Sequence, residues 1–71
     1  MKYAFVIEKV EGSNYSAYVP DLPGCIATGD TLEEIKQLMQ EGIEFHIEGL
    51  REDGLPIPEP TTQADYADIA A

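Results

Sequence analysis

Residues 15–34, YSAYVPDLPGCIATGDTLEE, read as strand, tight turn, short strand and helix start, with almost no residue to spare. Tyr15, Ala17 and Val19 alternate with Ser16 and Tyr18, the two-residue period of a strand with two different faces. Pro20 has no N–H to give a ladder and ends that strand. Asp21-Leu22-Pro23-Gly24 is turn chemistry: Pro23 fixes its own φ, and Gly24 can take the positive φ that a type II turn needs next. Cys25 to Thr28 reads as a second short apolar strand, released by Gly29. Asp30 or Thr31 then caps a helix, and Thr31 with Glu34 three residues on has the spacing of a capping box.

Upstream, Lys2 to Val10 reads as the first strand, with Tyr3, Phe5 and Ile7 on one face and Ala4, Val6 and Glu8 on the other. The central run is apolar on both faces, which suggests cover from the helix on one side and from a second subunit on the other. Glu11 to Asn14 is a loop of turn formers that makes the first two strands an antiparallel hairpin. Downstream, the helix is expected from Leu32 to Glu52. Its wheel places Ile35, Leu38, Met39, Gly42, Ile43, Phe45, His46, Gly49 and Leu50 on one arc about 160° wide. Gln37, Gln40, Glu41, Glu44, Glu48, Arg51 and Glu52 fill the opposite side. Glu33 and Glu34 suit the positive N-terminal end, and Gly54 is the expected stop. Gly42 and Gly49 each cost about 1 kcal/mol relative to Ala, so the preferred reading is close packing of the helix on its own sheet. A groove for a second chain is the alternative. Leu55 to Pro60 is held extended by alternating prolines and is expected to return along the sheet. Thr61 to Asp65 has the makings of one turn, and Tyr66 to Ala70 of a last short strand. The expected fold is α+β in one domain, residues 1–71: a three-stranded antiparallel meander, one long amphipathic helix and a possible fourth strand (β-β-β-α-β).

Fourteen acidic residues against four basic ones give a net charge of −10. That disfavours nucleic acid and anionic membranes, both of which need Lys and Arg. It favours a basic partner, although an acidic surface also serves plain solubility. A chain of 71 residues buries only about 60% of its unfolded surface, so self-association is a physical expectation. No long apolar span or signal-peptide pattern is present and there is one cysteine, which together suit a soluble cytoplasmic protein.

Reaction chemistry finds little support. A cysteine hydrolase would have to pair Cys25 with His46, the single Cys and the single His. Cys25 reads better as a small buried apolar residue, and His46 as a partly buried helix residue. There is no Cys-x-x-Cys for zinc. Asp21, Asp30, Glu33 and Glu34 invite comparison with a magnesium site, yet each already suits a turn, a cap or a helix start. No cofactor or metal is expected, and no enzymatic activity. Tyr3, Tyr15 and Tyr18 read as strand-stabilising aromatics, with Tyr18, beside the turn, the better placed for a contact.

The run Y-x-x-x-x-P-D-L-P-G-C-x-x-x-G-D-T-x-E-E, Tyr15 to Glu34, followed by G-L-x-E-D-G-L-P-I-P-E-P, Gly49 to Pro60, resembles the HicB-like antitoxin family. The resemblance covers most of the chain. It implies a partial ribonuclease H-like fold without that fold's catalytic set. It implies an antitoxin whose partner is a HicA-like toxin, a small basic ribonuclease resembling a double-stranded-RNA-binding domain with a catalytic histidine. The acidic solvent side, with Tyr18, Asp21, Leu22, Pro23 and Gly24, is the expected contact, and a homo-oligomer the expected state. Many members carry a C-terminal helix-turn-helix or ribbon-helix-helix domain for operator DNA. This chain runs to Ala71 without one, so operator binding is not carried over. The alternative is a stand-alone homo-oligomeric binding protein with no toxin partner. From the charge, the isolated chain is expected not to retard DNA in a gel at physiological salt; a specific shifted band would refute this.

Overall fold

The computed structural model describes residues 1–70. Strands β1 (Val6–Lys9), β2 (Tyr15–Tyr18) and β3 (Ile26–Gly29) form one antiparallel sheet in the order β1-β2-β3, and helix α1 (Leu32–Glu52) follows. Gly12, at φ 76°, supplies the positive φ of the β1–β2 turn, which Ser13 N–H closes onto Val10 C=O at 2.9 Å. The β2–β3 connection is two turns in series. Leu22 N–H donates to Val19 C=O and Cys25 N–H to Leu22 C=O, each at 3.1 Å. Pro23 and Gly24, at φ 84°, are the central residues of the second turn, the type II geometry expected of them.

β1 is shorter than the alternating pattern suggests. Its register pairs Val6 with Tyr18, which sets Phe5 and Ala4 against Val19 and Pro20. Pro20 has no N–H to give Ala4 C=O, so the ladder ends at Val6. The third strand begins at Ile26 rather than Cys25 because Cys25 closes the turn.

The helix begins and ends where its sequence signals fall. Thr31, at φ −127° and ψ 160°, caps it by accepting Glu34 N–H on its hydroxyl at 3.1 Å. Gly29 lets the first turn lie directly on the sheet: a Cβ there would sit 3.3 Å from Ile35 N and 3.3 Å from Glu34 Oε1. At the far end Leu55 N–H donates to Leu50 C=O at 2.9 Å and Gly54 N–H to Arg51 C=O at 3.1 Å, with Gly54 at φ 67°. This is a Schellman cap.

α1 packs across β2 and β3. The core is Ala17, Val19, Leu22, Cys25, Ile35 and Met39, with Tyr3, Phe5, Ile7, Tyr15, Ala27 and Ile43 packed around it. A helix of 21 residues is about 31 Å long, whereas four-residue strands reach about 13 Å. The second half of α1 therefore outruns the sheet. That corrects the expected buried arc, because Phe45 is 78% exposed. It also corrects the reading of the two helix glycines. A Cβ on Gly42 would meet only the Met39 methyl, at 4.0 Å, and one on Gly49 nothing within 4 Å, so neither packs closely on the sheet.

The extended tail does return to the sheet, and it is pinned at two points. Tyr3 O–H donates to Pro58 C=O, and Thr61 and Thr62 donate to Asp21. The expected turn at Thr61 to Asp65 and strand at Tyr66 to Ala70 do not form. Tyr66 is 96% exposed and Ile69 80%. Ala and Asp between them are poor strand formers, and the segment has no apolar face to bury.

Met39 is fully buried at the centre of the core. Met39→Ala is expected to cost about 2–5 kcal/mol, comparable to the roughly 3–5 kcal/mol such a core supplies. Urea denaturation followed by far-UV circular dichroism should show a chain largely unfolded before denaturant is added.

Candidate partner-binding surface

The outward side of α1 is strongly acidic. The helix carries Glu33, Glu34, Glu41, Glu44, Glu48 and Glu52, all exposed, against Lys36 and Arg51. On the wheel Glu34, Glu41, Phe45, Glu48 and Glu52 share an arc about 60° wide, and neither basic residue falls within it. Arg51 lies instead on the flank facing the N-terminal segment, where it lines an open groove of ≈ 670 Å³ with Met1, Lys2, Tyr3, Phe5, Ile43 and Ile47. The result is one exposed aromatic ring set in a carboxylate surface. Gln37 and Gln40 donate to Glu41 and Glu44 at 3.4 and 2.7 Å, which stiffens this side of the helix.

The residues expected from the sequence to meet a partner do not share one surface. Tyr18, 42% exposed, stands on the sheet face away from α1. Leu22 has no exposed surface, so its side chain is part of the core and supports the turn from beneath. Pro23 and Gly24 are exposed at the turn's tip. Asp21 faces the tail. Its Oδ2 accepts Thr62 N–H at 2.9 Å, and its Oδ1 accepts the hydroxyls of Thr62 at 2.8 Å and Thr61 at 3.1 Å. These bonds, the Thr62 N–H first, hold its carboxyl below the usual carboxylate range.

Cys25 is buried, and desolvation pushes its thiol up, opposite to what a nucleophile needs. His46 is half-buried on α1. Asp21, Asp30, Glu33 and Glu34 do not converge, and among the described residues no three carboxylate, His or Cys side chains do. Phe45 was missed as a surface residue because it sits at the edge of the apolar arc, about 120° from Met39, and a wheel does not say how wide the covered stripe is.

A family model described as the HicB-like antitoxin of bacterial toxin–antitoxin systems matches residues 3–70. The chain belongs to the HicB-like antitoxin family. A 14.9 kDa protein of Haemophilus phage HP1, from its rep–hol intergenic region, is 44% identical over 66 residues, which are 93% of this chain and 49% of that protein. Antitoxin HicB 1 of Photorhabdus laumondii is 34% identical over 71 residues, 97% of this chain and 45% of that protein. This HicB-like chain thus spans about half the length of these curated relatives. Among solved structures, a chain of a HicA3 and HicB3 toxin–antitoxin complex matches with a TM-score of 0.66 and 36% identity, over 83% of this chain and 66% of that one. No helix among the described residues is long and apolar enough to cross a membrane.

The tail contact gives a pH prediction. Asp21's folded pKa is depressed, so the contact contributes above the unfolded value of about 4 and is lost as pH falls through the folded value. In an NMR titration the Thr62 amide should shift with a midpoint below about 4. Asp21→Ala should open residues 55–62 to limited proteolysis at pH 7.

Proposed function

We propose that this HicB-like chain neutralises a small basic HicA-like ribonuclease by binding it and covering the face that would otherwise take RNA. The observation that carries the reading is the exposed glutamate side of α1 with Phe45 at its edge. A surface that must hold the phosphate backbone is cationic. A protein of net charge −10 is drawn to such a surface and occupies it. The solved relative that accompanies HicA3 supports a toxin as the partner.

In this mechanism the chain does no chemistry. Long-range attraction speeds encounter. Glu34, Glu41, Glu48 and Glu52 then replace phosphates as the partners of the toxin's Lys and Arg side chains. Phe45 gives the contact an apolar anchor, the kind of residue on which interface energy concentrates. The exposed tip of the Asp21-Leu22-Pro23-Gly24 turn extends the contact at its rim.

The toxin for the test is the product of a neighbouring reading frame encoding a small basic protein. Its association rate, by stopped flow, should fall at least about tenfold between low and high salt. Phe45→Ala should weaken the complex by about 2 kcal/mol, roughly thirtyfold, with stability unchanged within about 0.5 kcal/mol. A salt-independent rate, or a Phe45→Ala variant binding as tightly as the parent, would reject this surface as the contact.

A further inference from the structure

We propose that the groove between the N-terminal segment and the second half of α1 binds a small aromatic anion, a flat apolar body carrying one carboxylate or sulfonate. The groove exists because α1 outruns the sheet. There the helix faces the segment that precedes β1, and the two walls enclose an open trough of ≈ 670 Å³. Small-molecule sites span roughly 300–1,000 Å³. The floor is apolar. Tyr3 and Phe5 supply two rings from one wall, and Ile43 and Ile47 two aliphatic side chains from the other. All four are half-buried, so each keeps part of its apolar surface for an occupant. Tyr3 O–H is already given to Pro58 C=O, which fixes that ring before anything binds.

Charge selects the ligand. The chain has four basic residues, and two of them, Lys2 and Arg51, line this one groove, one from each wall. A cation in the last turn of a helix offsets the dipole. That accounts for Arg51 but not for Lys2 on the facing wall. On the wheel Ile43, Ile47 and Arg51 stand about 40°, 80° and 120° from Met39, so the apolar floor leads to the guanidinium. Glu44 and Glu48 border the groove further round, at about 140° and 180°, and Glu44 already accepts Gln40 Nε2 at 2.7 Å. The groove is thus neutral overall, with its positive charge nearest the floor, on a chain of net charge −10. A planar guanidinium takes two oxygens of one anion side by side, and an ammonium adds a second charge. Two rings in the floor favour a flat aromatic body, which can stack or meet them edge to face. A basic protein gains little here and is drawn instead to the glutamate arc, where Phe45 stands about 120° beyond Arg51.

The test uses the full chain alone, so it stands apart from the antitoxin reading. The probe is anilinonaphthalene sulfonate, whose fluorescence should rise to saturation at one molecule per chain. Phenylnaphthylamine, the same rings without the sulfonate, should bind at least about tenfold more weakly. Arg51→Gln and Lys2→Gln should each weaken the sulfonate at least about fivefold. Lys2, exposed and ahead of β1, covers the case in which Arg51→Gln loosens the helix end. Naphthoate should displace the probe, and decanoate, a straight-chain acid, should do so at least about fivefold less well. Phe45→Ala and Ile26→Thr, which remove exposed apolar groups elsewhere, should leave the affinity unchanged. A neutral dye that binds as tightly as the sulfonate, binding that survives both Gln variants, or binding lost with Phe45 or Ile26 would overturn the proposal. So would decanoate that competes as well as naphthoate. A groove closed to every probe would overturn it outright, and loss of toxin binding in Arg51→Gln would then assign the groove to the toxin.

Discussion

Three side chains hold this molecule together by excluding water completely: Leu22 from the turn, Ile35 and Met39 from the helix. Leu22 is the unusual member. Turn residues normally face solvent, but here two successive turns, one led by Pro20 and one by Pro23, fold the chain so that the residue between them points inward. A three-stranded sheet with four-residue strands has little surface of its own to cover a helix. The plug from the turn closes the end of the core that the sheet alone would leave wet. The tight β2–β3 connection is therefore part of the hydrophobic core as much as a link between strands.

From that constraint the surface divides. With the core concentrated at Ile35 and Met39, the helix needs the sheet for only part of its length. The remainder is free to carry glutamates and an exposed ring. The molecule has two dissimilar outer faces, an anionic helix and a nearly neutral sheet.

Much of this was legible in the sequence, and the reasons are local. Thr31, Gly54 and the Pro23-Gly24 pair act through their own backbone geometry, so the helix bounds and the turn type follow from the residues alone. What a window of sequence cannot carry is the relation between elements of unequal length. Phe45 falls on the edge of the apolar arc, about 120° from Met39, and the sheet covers only the middle of that arc. Lys2 to Phe5 alternate as a strand should, but the next ladder bond would have to come from Pro20, which has no N–H. Leu22 reads as one apolar residue in a turn, and its burial depends on a helix that begins ten residues later. Of the expected contact residues, Tyr18, Asp21 and Leu22 are close in sequence and face three different ways, because a turn reverses direction faster than residue numbers suggest.

The bonds from Thr61 and Thr62 to Asp21 also fix a point of departure for whatever polypeptide is attached beyond them. Without that fastening, a passenger fused after Ala70 would swing on the twelve residues beyond the Tyr3–Pro58 anchor, a tether of about 42 Å when stretched. With it, only the eight residues from Gln63 onward are slack, a reach of about 28 Å. The swept volume shrinks roughly threefold, and the passenger is kept beside the end of the sheet from which it emerges.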